Sequence, residues 1–384
     1  MKLVIDAVGN KNGGGATVLM ELLRACTRVE RIKQVTILAS PQALREFEIP
    51  VWAGFRIVDV AAAESATGRF LWAARGLDRH LTTIEYDALL GLNGFGSVTG
   101  ARASVVFIQQ PMPYSRETLR RCSWEMRFRM ALIRRMTRRS ARAADHVLVQ
   151  SETMKEAICR AFDISAAKIS AFMPGAPVLP QPVTDSPKLR DLRAGSRTGA
   201  LLYVGSGSPH KNLDVVGDGL LLLPEAERPK WYVTLPADWK FCRAGVAISL
   251  GTLNGAELYE AYCNVTAVVI SSLTETVGLP MLEAMRLGIP VLAADRPYAH
   301  EVCEDAAAFF DPLSPKEFAS QARRLMVDHP RRSQLSARGV ALIKRRDGED
   351  SYRAMLERVV EVSEAAADRN GEKYRGEGRR KAAL

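Results

Sequence analysis

The sequence predicts an α/β protein built as two doubly wound, Rossmann-like domains facing each other across a cleft. Three observations predict it. Short β-branched runs alternate with helical stretches along the whole chain, the signature of parallel sheets made from βα units. One segment rich in Pro, Gly and Ser interrupts that rhythm near the middle, and the rhythm then restarts. At 384 residues the chain is too long for one ordinary domain and suits two.

The first half supplies six strand candidates: Lys2–Asp6, Gln34–Ala39, Phe55–Val60, Tyr86–Gly91, Ser104–Gln109 and His146–Gln150. The interruption falls on Met173–Ser196, where PGAPVLPQP and SPKLRDLRAGS concentrate turn-forming residues. Strand candidates resume at Leu201–Ser206 and continue through WYVTL, AGVAISL, TAVVISS, IPVLAA and AAAFFDP. The chain therefore reads as a first domain over 1–172, a linker over 173–198 and a second domain over 199–345. Residues 346–365 read as a helix returning to the first domain, and 366–384 as a disordered, charged tail. In such sheets ligands bind outside the carboxyl ends of the strands, so candidate residues are sought there.

Composition narrows the function classes. A hydrophobic fraction of 47% is ample for two cores, and a formal net charge of +10 asks for an anionic partner: a membrane surface, a nucleic acid or a phosphorylated ligand. No apolar run approaches the roughly 18 residues that span a bilayer. The opening MKLVIDAVGNKNGGG reads as a first strand, with too short an apolar stretch for a secretory signal. Cys26, Cys122, Cys159, Cys242, Cys263 and Cys303 are scattered, without a CxxC pair or metal-ligand spacing. Isolated thiols fit a reducing cytoplasm, the expected location.

The most informative stretch runs from Thr266 to Asp295, TAVVISSLTETVGLPMLEAMRLGIPVLAAD. A buried strand ends at Ser271–Ser272, a short loop carries Glu275, and Gly278–Leu279–Pro280 opens a helix, where proline in the first turn forfeits no hydrogen bond. Glu283 follows eight positions after Glu275. Such a junction offers unpaired N–H groups and a positive dipole end, suited to a diphosphate. Two carboxylates beside it can accept from the hydroxyls of sugar and ribose rings.

This arrangement resembles the E-x7-E signature of the retaining GT-B glycosyltransferases, particularly family four. The likeness extends over Leu201 to Pro312, through Leu258, Tyr259 and TAVVISS upstream and Glu301 and AAAFFDP downstream. It implies that Glu275 binds sugar hydroxyls, that Glu283 binds the donor ribose, and that amides near Val277, Gly278 and Leu279 hold sugar and phosphate. Read as two carboxylates alone, the pair is also compatible with a structural role.

YVGSGSPHKNL, Tyr203–Leu213, supplies a second element: Gly205 and Gly207 allow a tight turn after a strand, and Lys211 is a point charge for phosphate. The family usually carries an arginine near this first glycine, where Ser206 stands here; His210 is the available substitute. Asn12–Gly13–Gly14–Gly15–Ala16–Thr17 lies between the first strand and first helix, and three glycines permit close backbone approach. The resemblance places this loop against donor phosphate and acceptor. SVVFIQQPMPY, Ser104–Tyr114, puts Gln109 and Gln110 where the family often has a histidine. Either amide can bind a hydroxyl, but neither is a general base.

From Arg116 to Arg142 the chain carries ten arginines against Glu117 and Glu125. On one helix, Leu119, Cys122, Met126, Met130, Leu132, Ile133 and Met136 gather on one side with Arg129, and the other nine arginines fall opposite. Trp124 and Phe128 lie among arginines such as Arg127, Arg134, Arg135 and Arg138, as expected of a segment held on an anionic bilayer. The plainer alternative is a solvated helix with its apolar stripe in the core. No nucleic-acid-recognition motif accompanies the charge.

No D-x-D pair stands at a strand end to hold Mg²⁺, so the resemblance implies a cofactor-free, metal-independent transferase with Glu275 and Lys211 at its centre. Its expected partners are a nucleotide-sugar donor, a lipid-linked saccharide acceptor and the inner face of the plasma membrane. A hexose transferase of O-antigen or capsule assembly, with GDP-mannose as donor, is the leading expectation. A soluble GT-B enzyme making a small glycoside or glucan, a GT-B-shaped nucleotide-sugar epimerase, and a non-catalytic surface-binding protein of the same fold are the alternatives.

Overall fold

The computed structural model describes residues 1–10, 13–41, 49–98, 102–181, 186–194, 199–347 and 350–381. The chain divides into two compact units, one of Met1–Tyr114, Trp124–Pro174 and Asp350–Leu384, the other of Ser115–Ser123 and Gly175–Glu349.

The first unit is built on a parallel sheet of β1 (Lys2–Asp6), β2 (Gln34–Ala39), β3 (Phe55–Asp59), β4 (Ala88–Gly91), β5 (Ala103–Phe107), β6 (His146–Val149) and β7 (Ile169–Ala171). Its order, β3-β2-β1-β4-β5-β6-β7, reverses direction between β1 and β4. The six strands expected in this half form where the β-branched runs lie. The seventh, three residues long, is too short to show as a pattern. The strands carry near-continuous apolar runs because helices cover both faces. One face is sealed by Leu19, Leu22 and Leu23 of the Gly13–Cys26 helix together with Met355, Leu356, Val359 and Val360 of the Ser351–Lys381 helix, all buried in one core.

That last helix continues through Lys381, past Ala366 where a tail without order was expected; residues 382–384 of that segment lie outside the described residues. Its Ala, Glu, Lys and Arg content is helix-favouring.

The second unit carries a six-stranded parallel sheet of β8 (Ala200–Tyr203), β9 (Lys230–Val233), β10 (Ala247–Ser249), β11 (Ala267–Ile270), β12 (Val291–Ala294) and β13 (Ala307–Phe310), in the order β10-β9-β8-β11-β12-β13. Here the direction reverses between β8 and β11. Trp231, Phe310 and Phe318 are fully buried in its core. The segment expected to be a linker contributes to this unit as well. Leu189 and Leu192 are buried, Ser186 Oγ donates to Glu257 Oε1 at 2.8 Å, and Arg193 pairs with Glu260. Of that segment, residues 182–185 and 195–198 lie outside the described residues.

One helical expectation is corrected. The Arg116–Arg142 stretch is two helices, Arg116–Arg120 and Trp124–Ala143, separated at Arg121–Ser123. Tertiary contacts override the helical pattern: Arg121 binds the Asn212 side chain, and Arg296 Nη2 lies 3.1 Å from Glu117 Oε1, both within the second unit. Ser115 caps the shorter helix by accepting from the Thr118 amide. Among the described residues no helix is long and apolar enough to cross a membrane.

Candidate functional site

In the second unit the reversal of strand order brings the loops after β8 and β11 together, and these loops carry Lys211 and Glu275. Lys211 Nζ lies 2.5 Å from Glu275 Oε1, and the side chains are only 19% and 10% exposed. The loops are laced to each other. Leu273 N–H donates to the His210 carbonyl at 2.8 Å, and Ser271 Oγ donates to the Lys211 carbonyl at 2.7 Å. Ser272 Oγ donates to Glu275 Oε1 at 2.7 Å, and Tyr298 fixes the Ser272 carbonyl from below at 2.7 Å. Among the described residues both polar contacts of Glu275 fall on Oε1, which leaves Oε2 to accept from a ligand hydroxyl.

Local sequence explains each turn. Gly205 takes φ +146, and a Cβ there would come within 2.7 Å of the Tyr203 hydroxyl, itself donating to the Ser206 carbonyl. Ser206 is exposed and shares a hydrogen bond with Ser208 Oγ at 2.9 Å. Gly278, at φ +77, turns the chain into the Leu279–Arg286 helix with Pro280 in its first turn. The amides of Val277, Gly278 and Leu279 make no hydrogen bond among the described residues, so they are available to a ligand.

The two glutamates of the E-x7-E spacing sit in opposite electrostatic surroundings. Burial pushes the Glu275 carboxyl upward, but the Lys211 ammonium and the Ser272 hydroxyl outweigh it and hold the group below the usual carboxylate range. Glu283 is buried on the Leu279–Arg286 helix with one hydrogen-bond partner among the described residues, the Tyr262 hydroxyl donating at 2.5 Å, and burial lifts its carboxyl above the ordinary value. His210 does not supply the charge of the missing arginine in the unliganded chain. Burial pulls its imidazole down to about 4, so it is neutral near pH 7, and its Nδ1 is buried without a partner among the described residues.

In the first unit, the carboxyl ends of β1 and β4 open into a cavity of about 950 Å³. Gly15, Gln109 and Gln110 all line it. Gly13 and Gly14 are exposed and do not, because the glycine run forms the first turn of the Gly13–Cys26 helix and not a loop. Asn12 lies outside the described residues. Sequence reasoning missed Asp6, Trp72 and Asn93 in this cavity. Asp6, buried at the end of β1, accepts from the Trp72 indole at 3.2 Å, and burial raises its carboxyl to about 6. Its place at a strand end was a usable signal; Trp72 and Asn93 (φ 65) offered none. Among the described residues no group of three or more His, Cys, Asp or Glu is placed to hold a metal ion.

The Trp124–Ala143 helix buries Met130, Thr137, Ser140 and Ala141. Arg129, Leu132, Ile133 and Met136 line the cavity, so much of the apolar stripe is a cavity wall and not core. Trp124 and Phe128 are 76% and 71% exposed. Arg127, Arg135 and Arg138 are exposed, and Arg134 is half-buried.

The raised Glu283 carboxyl ionises less readily in the fold than in the unfolded chain. Stability is therefore lost as pH rises from the unfolded value, near 4.5, through the folded one. Glu283→Gln removes that loss. Its Tm relative to the parent is expected to improve on going from about pH 5 to about pH 8, and a relative Tm that falls over this range would contradict the assignment.

Residues 13–175 match the model of the glycosyl transferase 4-like domain, and residues 246–341 match that of glycosyl transferases group 1. O-antigen chain mannosyltransferase B of Escherichia coli is 26% identical over 222 residues, 53% of this chain and 57% of that protein. O-antigen chain mannosyltransferase RfbU of Salmonella typhimurium strain LT2 is 26% identical over 195 residues, 48% and 52% of the two chains. The chain thus spans just over half the length of each of these relatives. Among solved structures, WaaG, a glycosyltransferase involved in lipopolysaccharide biosynthesis, superposes with a TM-score of 0.71 at 16% identity, covering 94% of this chain and 99% of its own. Anabaena HepE in complex with UDP and glucose gives 0.63 at 18%, covering 97% and 100%. These structures establish the fold, and the two family models together take in most of the chain: it belongs to the family-four type of GT-B glycosyltransferases.

Proposed function

We propose that the chain is a retaining hexosyltransferase of surface-polysaccharide assembly, moving a sugar from a nucleotide diphosphate to a lipid-linked oligosaccharide. GDP-mannose is the first choice of donor. The observation that carries this reading is the Lys211–Glu275 pair at the strand-order reversal of the second sheet, where α/β folds bind their ligands. The names of the O-antigen relatives support the mannose donor and the polysaccharide setting, and the UDP and glucose carried by HepE support a nucleotide-sugar donor.

In this reading Glu275 Oε2 accepts from a sugar hydroxyl while Lys211 and the amides of Val277, Gly278 and Leu279 meet the diphosphate. Glu283 Oε1, which the Tyr262 hydroxyl leaves untouched, accepts from the ribose. Transfer breaks the bond between the anomeric carbon and the phosphate oxygen and forms one to the acceptor oxygen on the same face. The acceptor's proton passes to the departing phosphate, so no protein nucleophile is required. Charge on the leaving group is met by a fixed ammonium and fixed N–H dipoles, a preorganised arrangement that uses no metal. The acceptor is bound by the first unit, with Gln109 and Gln110 on its hydroxyls. The exposed Trp124 and Phe128, with Arg127, Arg134, Arg135 and Arg138, hold the protein on the inner face of the plasma membrane.

In a transfer assay with nucleotide sugars, Glu275→Ala is expected to lower turnover by at least ~100-fold with an unchanged circular dichroism spectrum, and EDTA to leave parent turnover intact. Full activity of the variant, or a strict Mg²⁺ requirement, would overturn the donor-site reading. Replacing Trp124 and Phe128 by Ser and those four arginines by Gln is expected to weaken binding to phosphatidylglycerol vesicles by at least ~100-fold, since each basic residue near such a surface contributes about 1 kcal/mol. Retained binding would refute the membrane assignment.

A further inference from the structure

The first unit has a second cavity, of about 690 Å³, beside the one at the end of β1. The two share Phe70, Ala73, Leu132 and Met136 in their linings, so a single apolar wall separates and joins them. On one side of the wall lie the Asp6 carboxylate, Gln109 and Gln110, with Arg69 and Arg129 also in the lining, and Gln109 Nε2 is buried and unpartnered among the described residues. On the other side lie arginines of the Trp124–Ala143 helix. Among the described residues no carboxylate pairs with Arg135, Arg138 or Arg139, whereas Arg142 already binds the Phe162 carbonyl and lies 3.9 Å from Asp163. A cluster of unneutralised guanidiniums is a site for phosphate oxygens.

The wall carries an irregular helical turn. Phe70 is 39% exposed, and the helical segment that carries it changes from α-helix at Ala66–Leu71 to a π-helical turn at Trp72–Gly76 before resuming at Leu77–Leu81. Such turns are rare and concentrate where ligands bind. The Trp72 indole, tied to Asp6, holds the polar side of this turn in place.

We propose that the two cavities form one track for a phosphate-bearing glycolipid. Its phosphate rests on Arg135, Arg138 and Arg139, and the adjoining sugar stacks on the Phe70 and Trp72 wall with its hydroxyls toward Asp6 and Gln109. The track sets a guanidinium cluster, an apolar wall and hydrogen-bonding groups next to one another, the three kinds of surface such a molecule requires. The proposal rests on the reading of the chain as a transferase to lipid-linked saccharides, and it names how that acceptor is held.

Binding alone tests it, measured calorimetrically on the full chain without donor or vesicles, so failure of transfer and failure of the track are separate results. The probes are a synthetic decyl glucosyl phosphate below its micellar concentration, decyl glucoside, and glucose 1-phosphate. The complete probe is expected to bind at least ~10-fold more tightly than either half, because charge and apolar contact are both used. Ala73→Phe, which fills the shared wall, is expected to weaken it at least ~10-fold while vesicle binding is kept, and the exposed Arg139→Glu to weaken it with a shallower salt dependence. Equal binding of decyl glucoside would show an apolar groove without a phosphate site, and equal binding of glucose 1-phosphate would show a soluble sugar phosphate as the ligand. Either result, or unchanged affinity in both variants, overturns the proposal.

Discussion

The donor-side reading depends on one ion pair. Lys211 and Glu275 come from separate βα loops, brought together because the second sheet reverses its strand order between β8 and β11. Both side chains are largely withdrawn from water, so removing one partner strands a buried charge, at a cost of about 3 kcal/mol or more. A pair in that position is a poor device for stability, since well-packed apolar residues would serve as well. In the proposed function it holds a cation and a carboxylate, each with spare hydrogen-bonding capacity, beside unpaired amides at a helix start. A phosphorylated sugar asks for that combination.

The environment then divides the two glutamates into different chemical roles. Glu275, beside Lys211 and Ser272, is held as a carboxylate. Glu283, buried with one phenol donating to it, ionises less readily than a free carboxyl. The first unit repeats the same design principle with different chemistry. Its strand-order reversal, between β1 and β4, opens on a cavity whose floor is Asp6 and two glutamine amides and whose walls are aromatic and aliphatic. One reversal thus presents charge for a phosphate, and the other presents an amphipathic pocket.

Much of this was legible in the sequence because it is encoded locally. Strands such as Lys2–Asp6 and Gln34–Ala39 stand where the β-branched runs place them, and Glu275, Gly278, Pro280 and Glu283 belong to one strand–loop–helix unit whose spacing survives without tertiary information. What was not legible depends on distant partners. Tyr262 as the companion of Glu283, and Trp72 as that of Asp6, are separated from them by 21 and 66 residues. The break at Arg121–Ser123 follows from Asn212 and Arg296 capturing side chains that helical periodicity alone would leave in solvent. His210 could be read as a cation in the sequence; only its burial shows it to be neutral.

The most direct test is a crystal structure of the chain soaked with GDP and, separately, UDP. The account predicts a diphosphate within about 4 Å of Lys211 Nζ, its oxygens on the amides of Val277 to Leu279, and the ribose hydroxyls on Glu283. A nucleotide ordered elsewhere on the protein, with Lys211 and Glu275 still closed on each other, would contradict it.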